Sequence, residues 1–246
     1  ETRRQDVERT RPHPPRVGHV STRWNAVAHA AGLVDPTGAI RPTIFAEMSA
    51  LAAATGAVNL GQGFPDSDGP EWIRQAAIEA IETGANQYPP GRGIAALRQA
   101  IAAHQRRHYG LAFDPDTEVL VTAGATEALT SAVLALAGPG DEVLTLEPFY
   151  DSHAAAIALA GATHTTEPLI ATPAGFRLDL AALEAAITPR TRLILINTPH
   201  NPTGTVLNRS ELEAIAAAAI RADAAIVTDE VYEHLTYDGA AHIPLA

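Results

Sequence analysis

Ile194-Leu195-Ile196-Asn197-Thr198-Pro199-His200-Asn201-Pro202-Thr203-Gly204 opens the stretch that decides the fold, and Ala225-Ile226-Val227-Thr228-Asp229-Glu230-Val231-Tyr232 closes it. Apolar runs at 193–196 and 224–227 flank an amphipathic segment at 210–221. That order predicts a strand, a crossover helix and a second parallel strand. Polar residues follow each strand: Asn197 and Asn201 after the first, Asp229 and Tyr232 after the second. Open α/β sheets bind their ligands at that carboxyl edge. An acid, a phenol and two amides converging there point to a flat, polar, heteroaromatic ligand.

Outward from this unit, strands and helices alternate through 118–228 with no repeat and no low-complexity linker. The fold class is therefore α/β, a mostly parallel sheet with helices on both faces. Residues 118–122 read as a strand feeding Ala123-Gly124-Ala125-Thr126, which opens a helix to about residue 137. Residues 143–146 and 162–166 read as strands, and 152–160 and 179–187 as helices, the last capped by Asp179. Ser210 with Glu213 reads as a capping box for the crossover helix. Upstream, Thr43 caps a helix that Gly56 stops, and Pro70 starts another. A third helix should turn Ile94, Leu97 and Ile101 inward.

Composition sets limits. The 246 residues carry a net charge of −11, which argues against a nucleic-acid partner. There is no cysteine, so a thiolate metal site is excluded and the reducing cytoplasm is the expected home. No apolar run is long enough to span a bilayer. Residues 1–40, with Arg3, Arg4, Arg9, Arg11 and Arg16 among prolines, read as a disordered extension. All 17 basic residues are arginines, so chemistry that needs a lysine cannot run on this chain alone. The chain starts at Glu1 and stops without a closing element, and both ends are expected to be incomplete.

Single motifs are weak. Gly61-Gln62-Gly63 lacks the third glycine of a dinucleotide fingerprint. The turn at 124–126 is a ready anion site, because helix N-termini present free N–H groups. His104 and His108 share a helix face, but Arg106 and Arg107 lie between them and no carboxylate accompanies them. That pair reads as a solvated face, not a metal site.

As an ordered set, residues 59–66, 86–98, 122–129, 147–150, 197–204 and 228–232 resemble the pyridoxal-phosphate (PLP) aminotransferases of class I/II, with the aspartate-aminotransferase fold. The similarity runs from about residue 41 to 246. It is closest to the actinobacterial N-succinyldiaminopimelate aminotransferases, through residues 45–52, the 86–91 loop and His234. The resemblance implies an N-terminal arm at 41–69 and a PLP-binding large domain at 70–246, cut short at its C-terminal end. It implies transfer of an amino group from an amino acid to a 2-oxo acid, in a homodimer. Asp229 would pair with the cofactor's pyridine nitrogen, and Asn201 and Tyr232 would bond its phenolic oxygen. Tyr150 would stack on the ring, and Gly124, Ala125 and Thr126 would cradle the phosphate. Tyr88 would reach a phosphate in the neighbouring subunit. Gly63 and Asn201 would meet the substrate, with Asn197 in support. The family's cofactor-linked lysine lies downstream of Asp229 and has no counterpart here, so the chain alone is expected to be inactive.

Overall fold

The computed structural model describes residues 23–61, 63 and 67–246. Its strands are β1 (Glu142–Glu147), β2 (Thr163–Pro168), β3 (Ile170–Thr172), β4 (Gly175–Arg177), β5 (Thr191–Asn197) and β6 (Ala225–Asp229). Its helices are α1 (Arg23–Ala30), α2 (Ile44–Thr55), α3 (Glu71–Glu82), α4 (Ala95–Tyr109), α5 (Gly124–Leu136), α6 (Asp151–Ala160), α7 (Leu180–Ala186) and α8 (Arg209–Ala222). Four strands form a parallel sheet in the order β2-β1-β5-β6. The strand–helix–strand unit of residues 191–229 is the one expected from sequence.

Side chains alternate across a strand, and this sheet uses both faces. Leu193 and Leu195 of β5 and Val143 of β1 pack with Leu129 and Val133 of α5 and Ile157 of α6. Ile194, Ile196, Leu144 and Leu146 turn the other way, onto Leu183 of α7 and Leu212 and Ile215 of α8. Leu193, Ile194, Leu183 and Ile215 are fully enclosed, and each such side chain contributes about 1.5–3 kcal/mol of transfer free energy. A run such as Leu-Ile-Leu-Ile is continuous in sequence because neither face of β5 meets water.

Several local expectations need correction. Residues 118–122 form no strand: Leu120 is exposed, and an extended segment becomes a strand only when another backbone pairs with it. The capping box of α8 is Asn208 with Glu211, not Ser210 with Glu213. Asn208 Oδ1 accepts from Glu211 N at 3.1 Å, while Glu211 Oε2 accepts from Asn208 N at 2.8 Å. Ser210 instead lies within the helix and donates to Asn208 Oδ1 at 2.6 Å, and α8 starts at Arg209, after its Asn208 cap. Pro70 is the residue before α3 and not its first turn. The β3–β4 hairpin was not anticipated.

The expected extension also contains structure. α1 packs on α6, and a bridge joins Val34 to Ile40. Residues 1–22 lie outside the described residues. Ile94 and Leu97 are exposed rather than inward and line an open cleft with Tyr88, Pro89, Pro90 and Val121, while Ile101 is half-buried. Among the described residues no helix is long and apolar enough to cross a membrane.

Candidate active site

Three carboxyl-terminal strand ends and one helix start meet at one edge of the sheet. Register sets Asn197, the last residue of β5, beside Asp229, the last of β6. Asn197 then uses both halves of its amide. Its Nδ2 donates to the Asp229 carbonyl at 2.9 Å, and its Oδ1 accepts from Asn201 N at 2.7 Å. One buried side chain thus ties β6 to the loop after β5. That loop closes on itself: His200 N donates to Thr205 O at 2.8 Å and Gly204 N to His200 O at 2.7 Å. It holds Asn201 so that its Nδ2 reaches the Tyr232 hydroxyl at 3.5 Å, the outer limit of a hydrogen bond. Burial lowers the His200 pKa; a bond to the Pro148 carbonyl opposes the shift, and the nearby His153 adds to it.

The opposite wall comes from α5 and α6. Gly124, the first residue of α5, has φ +80°, a left-handed conformation that glycine adopts without strain. The turn it makes starts the helix at the sheet edge, with Ala125 and Thr126 next in line. The Glu127 carboxylate folds back to accept from Ala123 N. Tyr150 precedes α6, and its ring stands edge-on to His153, 6.0 Å between centroids.

These groups surround one cleft of about 620 Å³. Gly63, Ala125, Thr126, Tyr150, Asn197, Asn201, Asp229 and Tyr232 all line it, with Phe45 and Leu129 among the apolar walls. Gly124 stands one residue behind that lining. Tyr88 is not brought in: it is 99% exposed and lines a separate cleft with Pro89, Pro90 and Val121. His104 and His108 do not line the cleft either.

His153 was missed by sequence reasoning. It is buried on α6, and its Nε2 lies 3.4 Å from Asp229 Oδ2. Nothing in the linear pattern marks it except its place one turn after Tyr150. Behind a carboxylate whose side chain is only 9% exposed, it fixes the orientation of that carboxylate.

The donor set fits a flat, phosphate-bearing, cationic heteroaromatic. A shielded carboxylate favours a protonated ring nitrogen opposite it. The N-terminus of α5 favours a phosphate. Tyr150 offers a face for stacking. The Asn201 amide and the Tyr232 phenol can share one ring oxygen between them.

Comparison with known proteins agrees with this chemistry. Residues 55–245 match the family described as aminotransferase class I and II. The chain is 61% identical over 204 residues to the probable N-succinyldiaminopimelate aminotransferase of Mycobacterium tuberculosis, covering 83% of this chain and 51% of that protein. The solved structure of the M. tuberculosis N-succinyldiaminopimelate aminotransferase superposes with a TM-score of 0.80, over 83% of this chain and 53% of that one. Identity is 44% over 200 residues to methionine aminotransferase of Escherichia coli, covering 81% of this chain and 51% of that protein. It is 38% over 213 residues to human kynurenine–oxoglutarate transaminase 3, covering 82% and 47%. The chain spans about half the length of the curated relatives it matches.

Proposed function

This chain belongs to the class I and II aminotransferases, and from that premise we propose that the protein carrying it moves an amino group from an amino acid to a 2-oxo acid. The family depends on pyridoxal 5′-phosphate, which when bound supplies an electron sink for the carbanion of the amino acid. The observation that carries the reading is the convergence of eight expected residues on one cleft.

In this reading Asp229 holds the proton on the ring nitrogen, and an asparagine could not balance that charge. His153 and Asn197 hold Asp229 and Asn201 in place. Ala125 and Thr126 bind the phosphate through main-chain N–H groups, and Gly124, whose own N–H donates to the Thr122 carbonyl, makes the turn that cradles it. Tyr150 covers the ring, and Asn201 with Tyr232 bonds its phenolic oxygen. Gly63 leaves the main chain open to a substrate carboxylate, since a Cβ there would meet nothing within 4 Å. Tyr88, fully exposed here, serves the phosphate site of a second copy in a homodimer. Residues 41–69 act as the arm of that dimer and 70–246 as the cofactor domain. The protein works in the cytoplasm, without a nucleic-acid or membrane partner.

The amino donor is N-succinyldiaminopimelate, with 2-oxoglutarate as acceptor, in lysine biosynthesis. The likeness to methionine and kynurenine aminotransferases supports a second reading, a broad-specificity or kynurenine-type enzyme or a carbon–sulfur β-lyase on the same scaffold. The lack of any lysine in the 246 residues supports a third for the chain by itself. It then binds and orients but moves no proton at the substrate's α-carbon, and it is inert or serves only as an interaction module.

The test is to assay the native protein with N-succinyldiaminopimelate, methionine, kynurenine and cystathionine. Turnover fastest with the first is expected. None with it while another runs would sink the substrate assignment. Asp229→Asn should lower transamination about 10²–10³-fold, the usual loss for one preorganised electrostatic group. Unchanged activity would remove Asp229 from its assigned role.

A further inference from the structure

We propose that His104, His108 and His234 form a binding site for a divalent transition-metal ion such as Zn²⁺, with Glu233 as an adjacent carboxylate. The site lies outside the cleft and joins α4 to the segment after β6. One nitrogen from each of the three imidazoles lies within 4.8 Å of the other two. His104 Nε2 and His234 Nε2 are 2.9 Å apart. Zinc binds imidazole nitrogen at about 2.0–2.1 Å, so two ligands of one tetrahedral ion stand roughly 3.3 Å apart. The cluster is already near that size and needs only side-chain adjustment to close on an ion.

Two separate stretches of chain build it. His104 and His108 are one turn apart on α4, which puts both on one face. His234 comes from 130 residues downstream of His104. The sequence sets Arg106 and Arg107 between the helical pair and shows no carboxylate with it; the fold supplies the carboxylate. Glu233 Oε1 is 3.5 Å from His104 Nε2 and 3.6 Å from His234 Nε2.

Without a cation, His104 and His234 share a hydrogen bond through their Nε2 atoms. The three ring centroids are 4.5–5.1 Å apart, and protonated imidazoles at that spacing repel. Neutral imidazole is the form that binds metal. His104 is partly buried, while His108 and His234 are exposed, so an ion can enter from solvent. Once bound it would anchor the residues that directly follow Tyr232, one wall of the cleft. The metal site and the aminotransferase reading stand or fall separately.

The experiment uses tag-free native protein with its cofactor, stripped by chelator and dialysed. Zn²⁺ is titrated by calorimetry, and Co²⁺ is followed by its visible absorption. One ion per chain is expected, with the Co²⁺ bands of a tetrahedral nitrogen–oxygen site. His108→Gln and His234→Gln should each weaken binding at least about tenfold, and Glu233→Gln less. Bound Zn²⁺ should raise the Tm of the parent and not of His104→Gln/His108→Gln. An unchanged isotherm in His108→Gln, or no Zn²⁺ binding by the parent beyond that of the double variant, overturns the proposal. His108→Gln changes an exposed position, so a loss of binding there is not a loss of fold.

Discussion

The sheet unit of residues 142–229 and the helices of residues 44–109 are built from equally good local signals and end in different states. α8 is capped by Asn208 and Glu211 and buries Leu212, Ile215, Ala218 and Ala219. α2 is capped as well, by Thr43 Oγ1 accepting from Ala46 N at 3.2 Å and by Gly56 in the left-handed region, yet it buries nothing. α3 buries nothing and α4 only Ala102. Trp72, Ile73 and Ile81 stand 73%, 49% and 63% exposed. Caps and propensity suffice to make a helix, but burial of its apolar face needs a second surface. The sheet brings its own second surface to α5 through α8. The proposed homodimer would supply it to α3 and α4.

Truncation on the two sides of this divide should cost different amounts and respond differently to concentration. Ile215→Ala should destabilise by about 2–5 kcal/mol, because the side chain is fully enclosed between α8 and the sheet. That cost should not depend on protein concentration. Ile73→Ala should cost little in dilute native protein and more in concentrated protein, where two copies meet. Denaturation midpoints of both variants across a wide concentration range decide it. Equal cost for Ile73→Ala at every concentration would break the comparison, since its face would then be covered within one chain or not at all.

One close contact, between the loop before α4 and the segment that leads to α5, is made at a glycine. Gly93 has φ +92°, and a Cβ placed on it would lie 2.5 Å from Val121 Cβ and Cγ2. Val121 N donates to Arg92 O at 3.2 Å, so the loop before α4 is pressed against the segment that feeds α5. Gly93→Ala should destabilise by about 1–3 kcal/mol, from overpacking and an unfavourable φ together. Adding Val121→Gly should recover the contact part and leave the backbone part. If Gly93→Ala is neutral in urea unfolding, the two regions are not locked at this point.

Legibility followed the same divide. The strand–helix–strand unit could be read because its period, its turn residues and its polar edge are all local. Residues 118–122 could not, because their apolar pattern says extended but not whether another strand lies beside them. Periodicity alone turns Ile94 and Leu97 inward, but it cannot say whether a covering surface exists. At the site, Asn197, Asn201, Asp229 and Tyr232 were legible as a group because they end adjacent strands. His153 was not, since its partner Asp229 is far along the chain. The cluster of His104, His108 and His234 failed for the same reason: sequence showed the helical pair without its third member or the Glu233 carboxylate.

The sheet side also holds two histidines whose titration should set its acid stability. Burial is the main cause that lowers the pKa of His164, with His153 adding to it and Glu147 opposing. His200 is lowered mainly by burial as well. Both are therefore neutral in the folded protein at pH values where the unfolded chain, titrating near 6.5, already takes up protons. Protons bound by the unfolded state and refused by the native one favour unfolding, so stability should rise with pH across this window. The contribution is complete above about pH 6.5 and shrinks as pH falls toward the lowered native values. Urea midpoints at about pH 7.5 and about pH 5.5 should therefore differ, with the lower at acid pH. His164→Gln/His200→Gln should narrow that difference, since glutamine takes no proton in either state. An unchanged difference would place the acid sensitivity elsewhere, and the exposed helices of residues 44–109 would be the next region to test.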